Sequence, residues 1–196
     1  MIATNKELMH ILREIGWKIS KDEVGDSCCI YSLENCKILA IPSIKNLTSE
    51  SILGCVAAIT TNEFDKAISI IYGKNKKNIP IVSSRYKDFN YHKESITNDT
   101  IIKLSDDLIS WGKQQDIEKG LWHYRSLPTD AKGAFPVRHL AALAIHGDSE
   151  KLSYYLENFK KGNRMNFVPY IKEEMIESAL KLSKVINFKN NSFMNK

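Results

Sequence analysis

The side chains of this sequence that carry chemistry are five histidines, four cysteines, two doubled acids and one dense cluster of aromatic and cationic residues. His10, His92, His123, His139 and His146 show no H-x-x-x-H or H-E-x-x-H spacing, the arrangement that sets two ligands for one metal on a helix face. His139 and His146, seven apart and followed by Asp148, share a helix face and read as core or capping groups. Cys28, Cys29 and Cys36 stand where a hairpin is expected. Neighbours on one strand point to opposite faces, so at most two of the three can meet. With Cys55 they lie in apolar, strand-like surroundings and read as reduced, buried thiols. No serine or cysteine sits in a nucleophile motif, and the isolated glycines form neither a dinucleotide-binding nor a Walker loop. Asp106-Asp107 and Glu173-Glu174 are adjacent acids on expected helices, where neighbours do not face each other, and are read as solvated. These motifs predict no catalytic residue, no metal and no cofactor. An enzyme of unrecognised type stays an alternative, because catalytic groups can converge from distant positions.

The cluster that none of this explains is Gly120-Leu121-Trp122-His123-Tyr124-Arg125. Tryptophan, tyrosine and arginine carry binding hot spots, because rigid rings bury much area at small entropic cost and guanidinium pairs bidentately with carboxylate. Trp122, Tyr124 and Arg125 are therefore the candidate partner-binding residues. The second reading is that Trp122 and Tyr124 pack one lobe onto the other.

The elements that must position these residues follow from periodicity. Thr4 and Glu7 have capping-box spacing, and Leu8, Ile11, Leu12 and Ile15 then mark an amphipathic helix that stops at Gly16. Short apolar segments follow at Trp17 to Ile19, Cys28 to Leu33 and Lys37 to Ile41, separated by Glu23-Val24-Gly25-Asp26 and Glu34-Asn35. They predict an antiparallel meander. Ser51 to Thr61 is a further strand or a helix, which periodicity does not separate. A second helix over Glu63 to Tyr72 ends at Gly73, and Pro80 makes Ile79 to Ser84 an edge strand. Arg85 to Asn98 reads as loop. From Asp99 the texture is helical: Ile101, Leu104, Leu108 and Trp111 form a stripe that can continue past Gly112 to Trp122. A proline- and glycine-containing linker at Ser126 to Phe135 precedes helices at Val137 to His146, Ser149 to Lys161 and Lys172 to Ile186. The expected fold is α+β: an N-terminal helix, an antiparallel meander and a second helix, then an all-helical second half. Residues 1–98 form the mixed lobe, residues 99–186 a helical lobe packed on it in one compact unit, and residues 187–196 a flexible tail.

Composition narrows the function classes. With 43% hydrophobic and 26% charged residues the chain has what a packed core requires. Its longest apolar run, Ile52 to Ile59, is far short of the roughly 20 residues that span a bilayer. Charges at Lys6, Glu7, Arg13 and Glu14 argue against a secretory leader, and a cytoplasmic location is expected. The net charge of +5 comes from scattered lysines, with short groups at Lys74, Lys76 and Lys77 and at Lys160, Lys161 and Arg164. These fall at turns and helix ends, where cations meet terminal carbonyls, so specific nucleic-acid binding is not expected.

Phe135-Pro136-Val137-Arg138-His139-Leu140-Ala141-Ala142 with Gly147-Asp148 resembles the opening of one ankyrin repeat, with one residue too many between proline and histidine. It occurs once, which makes it helical-hairpin packing rather than a solenoid. His139-Leu140-Ala141-Ala142-Leu143, Gly147-Asp148, Leu152, Tyr155, Gly162-Asn163-Arg164 and Phe167-Val168-Pro169-Tyr170-Ile171, within residues 135–186, resemble an uncharacterised family of small bacterial proteins. That family is associated with toxin-immunity gene neighbourhoods, and usage rich in lysine, asparagine and isoleucine fits an AT-rich bacterial genome. The resemblance implies a non-enzymatic immunity protein that occludes a cognate protein toxin. The order helix, meander, helix over Glu7 to Tyr72 is similar to the effector chaperones of type III secretion, although those are usually acidic dimers about two-thirds this length. Their resemblance implies a secreted effector as partner.

Overall fold

The computed structural model describes residues 4–21 and 27–194; the expected turn at Glu23-Val24-Gly25-Asp26 lies outside them. Helix α1 spans Asn5–Glu14 and opens on the full capping box. Thr4 Oγ1 accepts from the Glu7 amide at 3.2 Å, while the Glu7 carboxylate accepts from the Thr4 amide at 2.8 Å. Two orphan donors of the first turn are thereby satisfied, and the Glu7 carboxyl is held below its usual range by those bonds. Leu8 and Leu12 form the buried stripe.

Four strands follow as a meander: β1 (Lys18–Lys21), β2 (Ser27–Ser32), β3 (Lys37–Asn46) and β4 (Ser51–Thr60). The last of these resolves the ambiguity left by the sequence. Its ten residues pair with all of β3, from Lys37↔Thr60 to Asn46↔Ser51. Small residues at Gly54, Ala57 and Ala58 and β-branched residues at Ile52, Val56 and Ile59 suit a pleated ladder rather than a helix. Helix α2 (Asn62–Tyr72) comes next, then β5 (Val82–Ser83) and β6 (Asn90–Lys93), which both pair with β4 to complete a six-stranded sheet. β5 is the expected edge strand, though only two residues long. β6 is a correction to the expected loop: the polar run Asn90-Tyr91-His92-Lys93 pairs with Ser51 to Gly54. Its polarity hid it, since the strand has no alternating apolar face.

Helix α3 (Asn98–Lys113) does not run on to Trp122. It ends at the Gln114 cap, and a separate helix α4 (Ile117–Arg125) carries the aromatic cluster. Helices α5 (Phe135–His146), α6 (Ser149–Lys160) and α7 (Glu173–Met194) complete the α+β fold. α7 extends well past Ile186, and Asn187 on it donates to the Gly147 carbonyl at 2.9 Å.

Two compact units emerge, and they interleave along the chain. The first holds residues 1–61 and 80–117, the second residues 62–79 and 118–196. The change of texture at residues 98 and 99 therefore falls inside the first unit, and α2 belongs to the second. In the first unit α1 and α3 cover one sheet face, burying Leu8, Leu12, Ile101, Leu104 and Leu108 against Ile38, Leu53, Cys55 and Ile59. Trp17 is buried there, its indole N–H donating to Ser105 Oγ at 2.9 Å. Gly112 lets α3 approach the sheet: a Cβ at that position would lie 2.5 Å from Ile38 Cδ1 and 2.7 Å from Ile38 Cγ1. Gly112→Val is accordingly expected to cost about 1 to 3 kcal/mol through overpacking, read as a lower urea midpoint. A parental midpoint would show that α3 can lift away without loss.

On the flank of the sheet next to α1, the register of β2 against β3 ends at Cys29↔Ala40, and beyond it β3 is paired only on its β4 side among the described residues. Pro42 has no ladder donor to offer there. One residue pair farther on, the Asn5 carboxamide takes the role of a missing strand. Its Oδ1 accepts from the Ile44 amide at 2.8 Å and its Nδ2 donates to the Ile44 carbonyl at 3.4 Å.

Candidate functional site

In the second unit, α4 is amphipathic and turns Leu121 and Tyr124 inward. The helical period separates the three residues singled out from the sequence. Trp122 is 60% exposed, whereas Tyr124 is 5% exposed. Tyr124 stacks on Phe64 with ring centroids 5.7 Å apart and planes 3° from parallel, and meets Phe135 at 6.3 Å. Its hydroxyl accepts from Arg138 Nη1 at 3.1 Å, and the same guanidinium lies 5.8 Å from the ring centroid. As a partner-binding residue Tyr124 is therefore corrected to a core residue, because a position two along from Trp122 on a helix lies about 200° around it.

Arg125 is half-buried, and its Nη2 reaches Glu118 at 2.6 Å across two turns of α4. An exposed carboxylate on one side of a short, charge-assisted bond holds the guanidinium in place. The Arg125 carbonyl accepts from Lys151 Nζ on α6 at 3.2 Å. Trp122 stands one turn before Arg125, and Tyr154, 57% exposed, one turn after Lys151. Lys151 thus ties α6 to the last turn of α4, and each of the two helices carries an exposed ring, Trp122 and Tyr154.

Beneath this surface lies a polar network. His139 is fully buried, with Nδ1 at 2.8 Å from the Tyr124 carbonyl and Nε2 at 3.1 Å from the Tyr155 hydroxyl. A carbonyl only accepts, so Nδ1 carries the proton and Nε2 accepts from Tyr155. Burial lowers the His139 pKa to about 4 and raises that of Tyr155 to about 12. His139 is thus the core histidine that its place on α5 suggested. His146 pairs at 3.0 Å with Asp148, just beyond that helix.

The remaining chemistry-bearing groups stay apart. Cys28, Cys29 and Cys55 are buried and Cys36 half-buried, with the thiols unbridged among the described residues. Burial pushes Cys29 and Cys55 up to about 12, far from the range of a thiolate nucleophile. Asp107 is less solvated than its place in an acid pair suggested. It accepts from the Tyr91 hydroxyl at 2.6 Å and from Lys103 at 3.0 Å, tying α3 to β6. Among the described residues no group of three or more His, Cys, Asp or Glu is placed to hold a metal ion. Among the described residues no helix is long and apolar enough to cross a membrane. Sequence reasoning missed Lys151 and Tyr154, which lie on a separate helix; the signal available was Tyr154-Tyr155, of which only one ring can face inward.

Residues 4–184 match the model of a family of unknown function, DUF6990, and the chain belongs to that family. No curated protein and no solved structure matches it.

Proposed function

We propose that this member of the DUF6990 family is an immunity protein that binds a protein toxin and occludes its active site. The observation that supports this reading is the indole of Trp122, 60% exposed on α4 one turn from the braced Arg125. A fixed guanidinium beside a large, rigid ring is the combination that concentrates binding energy when a partner expels water. Bracing by Glu118 also lowers the entropy lost on docking. The resemblance of residues 135–186 to a family from toxin-immunity neighbourhoods points the same way. Lys151 suits an acidic group on the partner.

The test is to co-express the chain with the product of the reading frame directly upstream of its gene in the host, scoring that product's toxicity, growth rescue and a stoichiometric complex. Trp122→Ala and Arg125→Ala are each expected to weaken that complex by about 1 to 3 kcal/mol while leaving thermal stability near the parental value. Binding of either variant as tight as the parent's removes the surface from consideration. A chain that neither rescues growth nor binds removes the toxin reading.

The order of α1, the meander and α2 favours a second reading, a secretion chaperone for an effector. It draws support from Ile41 and Val56, register partners that are 50% and 41% exposed on the sheet. A stable dimer formed through the first unit would favour it over the immunity reading.

A further inference from the structure

We propose that the cleft between α1 and the β1–β3 flank of the sheet, within the first unit, binds a phosphorylated small molecule. The ligand would be a phosphate or diphosphate ester on an organic body. The cleft is an open groove of about 900 Å³, within the range of about 300 to 1,000 Å³ common for ligand pockets. Lys6, His10 and Arg13 line it from α1, spaced so that all three lie on one helix face. Lys21 at the end of β1 also lines it. Among the described residues no Asp or Glu lines it. None of these four side chains has an ion-pair partner among the described residues. Glu7, the acid beside Lys6, is occupied by the capping box.

Lys6 sits in the first turn of α1, where the macrodipole disfavours a cation. A bound dianion relieves that cost, and the apolar lining of Met9, Ile19 and Pro42 strengthens its attraction. That apolar wall also gives an organic body something to cover. The hydroxyls of Ser27 and Ser43 supply neutral donors.

The bare edge of β3 does not invite an acidic peptide as an added strand. Pro42 lacks an N–H, and both backbone groups of Ile44 are taken by Asn5. The site is independent of the partner surface on α4, so failure of either proposal leaves the other standing. Asp22, Glu23 and Asp26 follow Lys21 directly in sequence, and the test therefore uses the whole chain.

Isothermal titration at low ionic strength with ADP, adenosine and inorganic phosphate as probes separates the contributions. ADP is expected to bind once per chain, with phosphate weaker by about tenfold or more and adenosine silent. The double variant Arg13→Gln/Lys21→Gln should lower ADP affinity by about tenfold or more, and rising salt should weaken the parent toward it. A control with Lys160→Gln/Lys161→Gln, two cations of the second unit, should bind as the parent does. Circular dichroism melts establish that each variant is folded. Undetectable ADP binding by the parent overturns the proposal, as does equal loss in the control variant. Saturable binding of a glutamate-rich peptide without ADP binding also overturns it, assigning the cleft to a protein segment instead.

Discussion

Truncating Tyr124 to alanine should cost about 3 to 5 kcal/mol of folding stability, the range for removing a buried aromatic ring. The ring stacks on Phe64, contacts Phe135 and carries Arg138 over its face. Its removal opens a cavity between α2, α4 and α5 and deprives the Arg138 guanidinium of its phenol acceptor. Tyr124→Phe separates these contributions. It keeps the stack and loses only the hydroxyl, so a smaller cost of about 0.5 to 1.5 kcal/mol is expected. Urea unfolding monitored by circular dichroism reads both. A parental midpoint for Tyr124→Ala would mean that the ring is not part of the core. The contrast with Trp122→Ala, which should leave stability nearly unchanged, is the sharpest check on how α4 is oriented.

The second large effect is a pH dependence of stability carried by His139. Burial lowers its pKa from 6.5 to about 4, so the folded state holds the imidazole neutral while the unfolded chain takes up a proton as the pH falls. Lys151 reinforces the depression. The Tyr124 carbonyl and Asp148 oppose it without reversing it. The stabilisation is therefore complete above pH 6.5 and is lost as the pH falls from there toward 4, amounting to about 3 kcal/mol in all and about 2 kcal/mol between pH 7 and pH 5. Protonation at Nε2 would also turn the acceptor for Tyr155 into a second donor. In His139→Gln the carboxamide can still donate to the Tyr124 carbonyl and accept from Tyr155, but it does not titrate. Stability measured in urea across this pH window should fall in the parent and flatten in the variant. An equal fall in both would assign the acid sensitivity to other groups.

Much of the first unit was legible because its signals are local. The Thr4–Glu7 capping box needs four residues, Leu8 and Leu12 repeat with the helical period, and hairpins announce themselves through alternation and turn residues. Periodicity by itself determined the α+β class, α1, the strands β1 to β3, α2 and the helices that became α5 and α6. It also found the cluster at Gly120 to Arg125. It did not resolve β4, whose small and β-branched residues became a strand only because β3 offered ten partners in register. β6 was invisible for a related reason: a polar strand owes its existence to the edge of β4. The break at Gln114 and the rotation of α4 decided which of Trp122, Tyr124 and Arg125 faces solvent, and a cluster of six adjacent residues does not carry that information. Only the tertiary structure could set Lys6, His10 and Arg13 across from Lys21, since a cleft belongs to the gap between elements and has no period of its own.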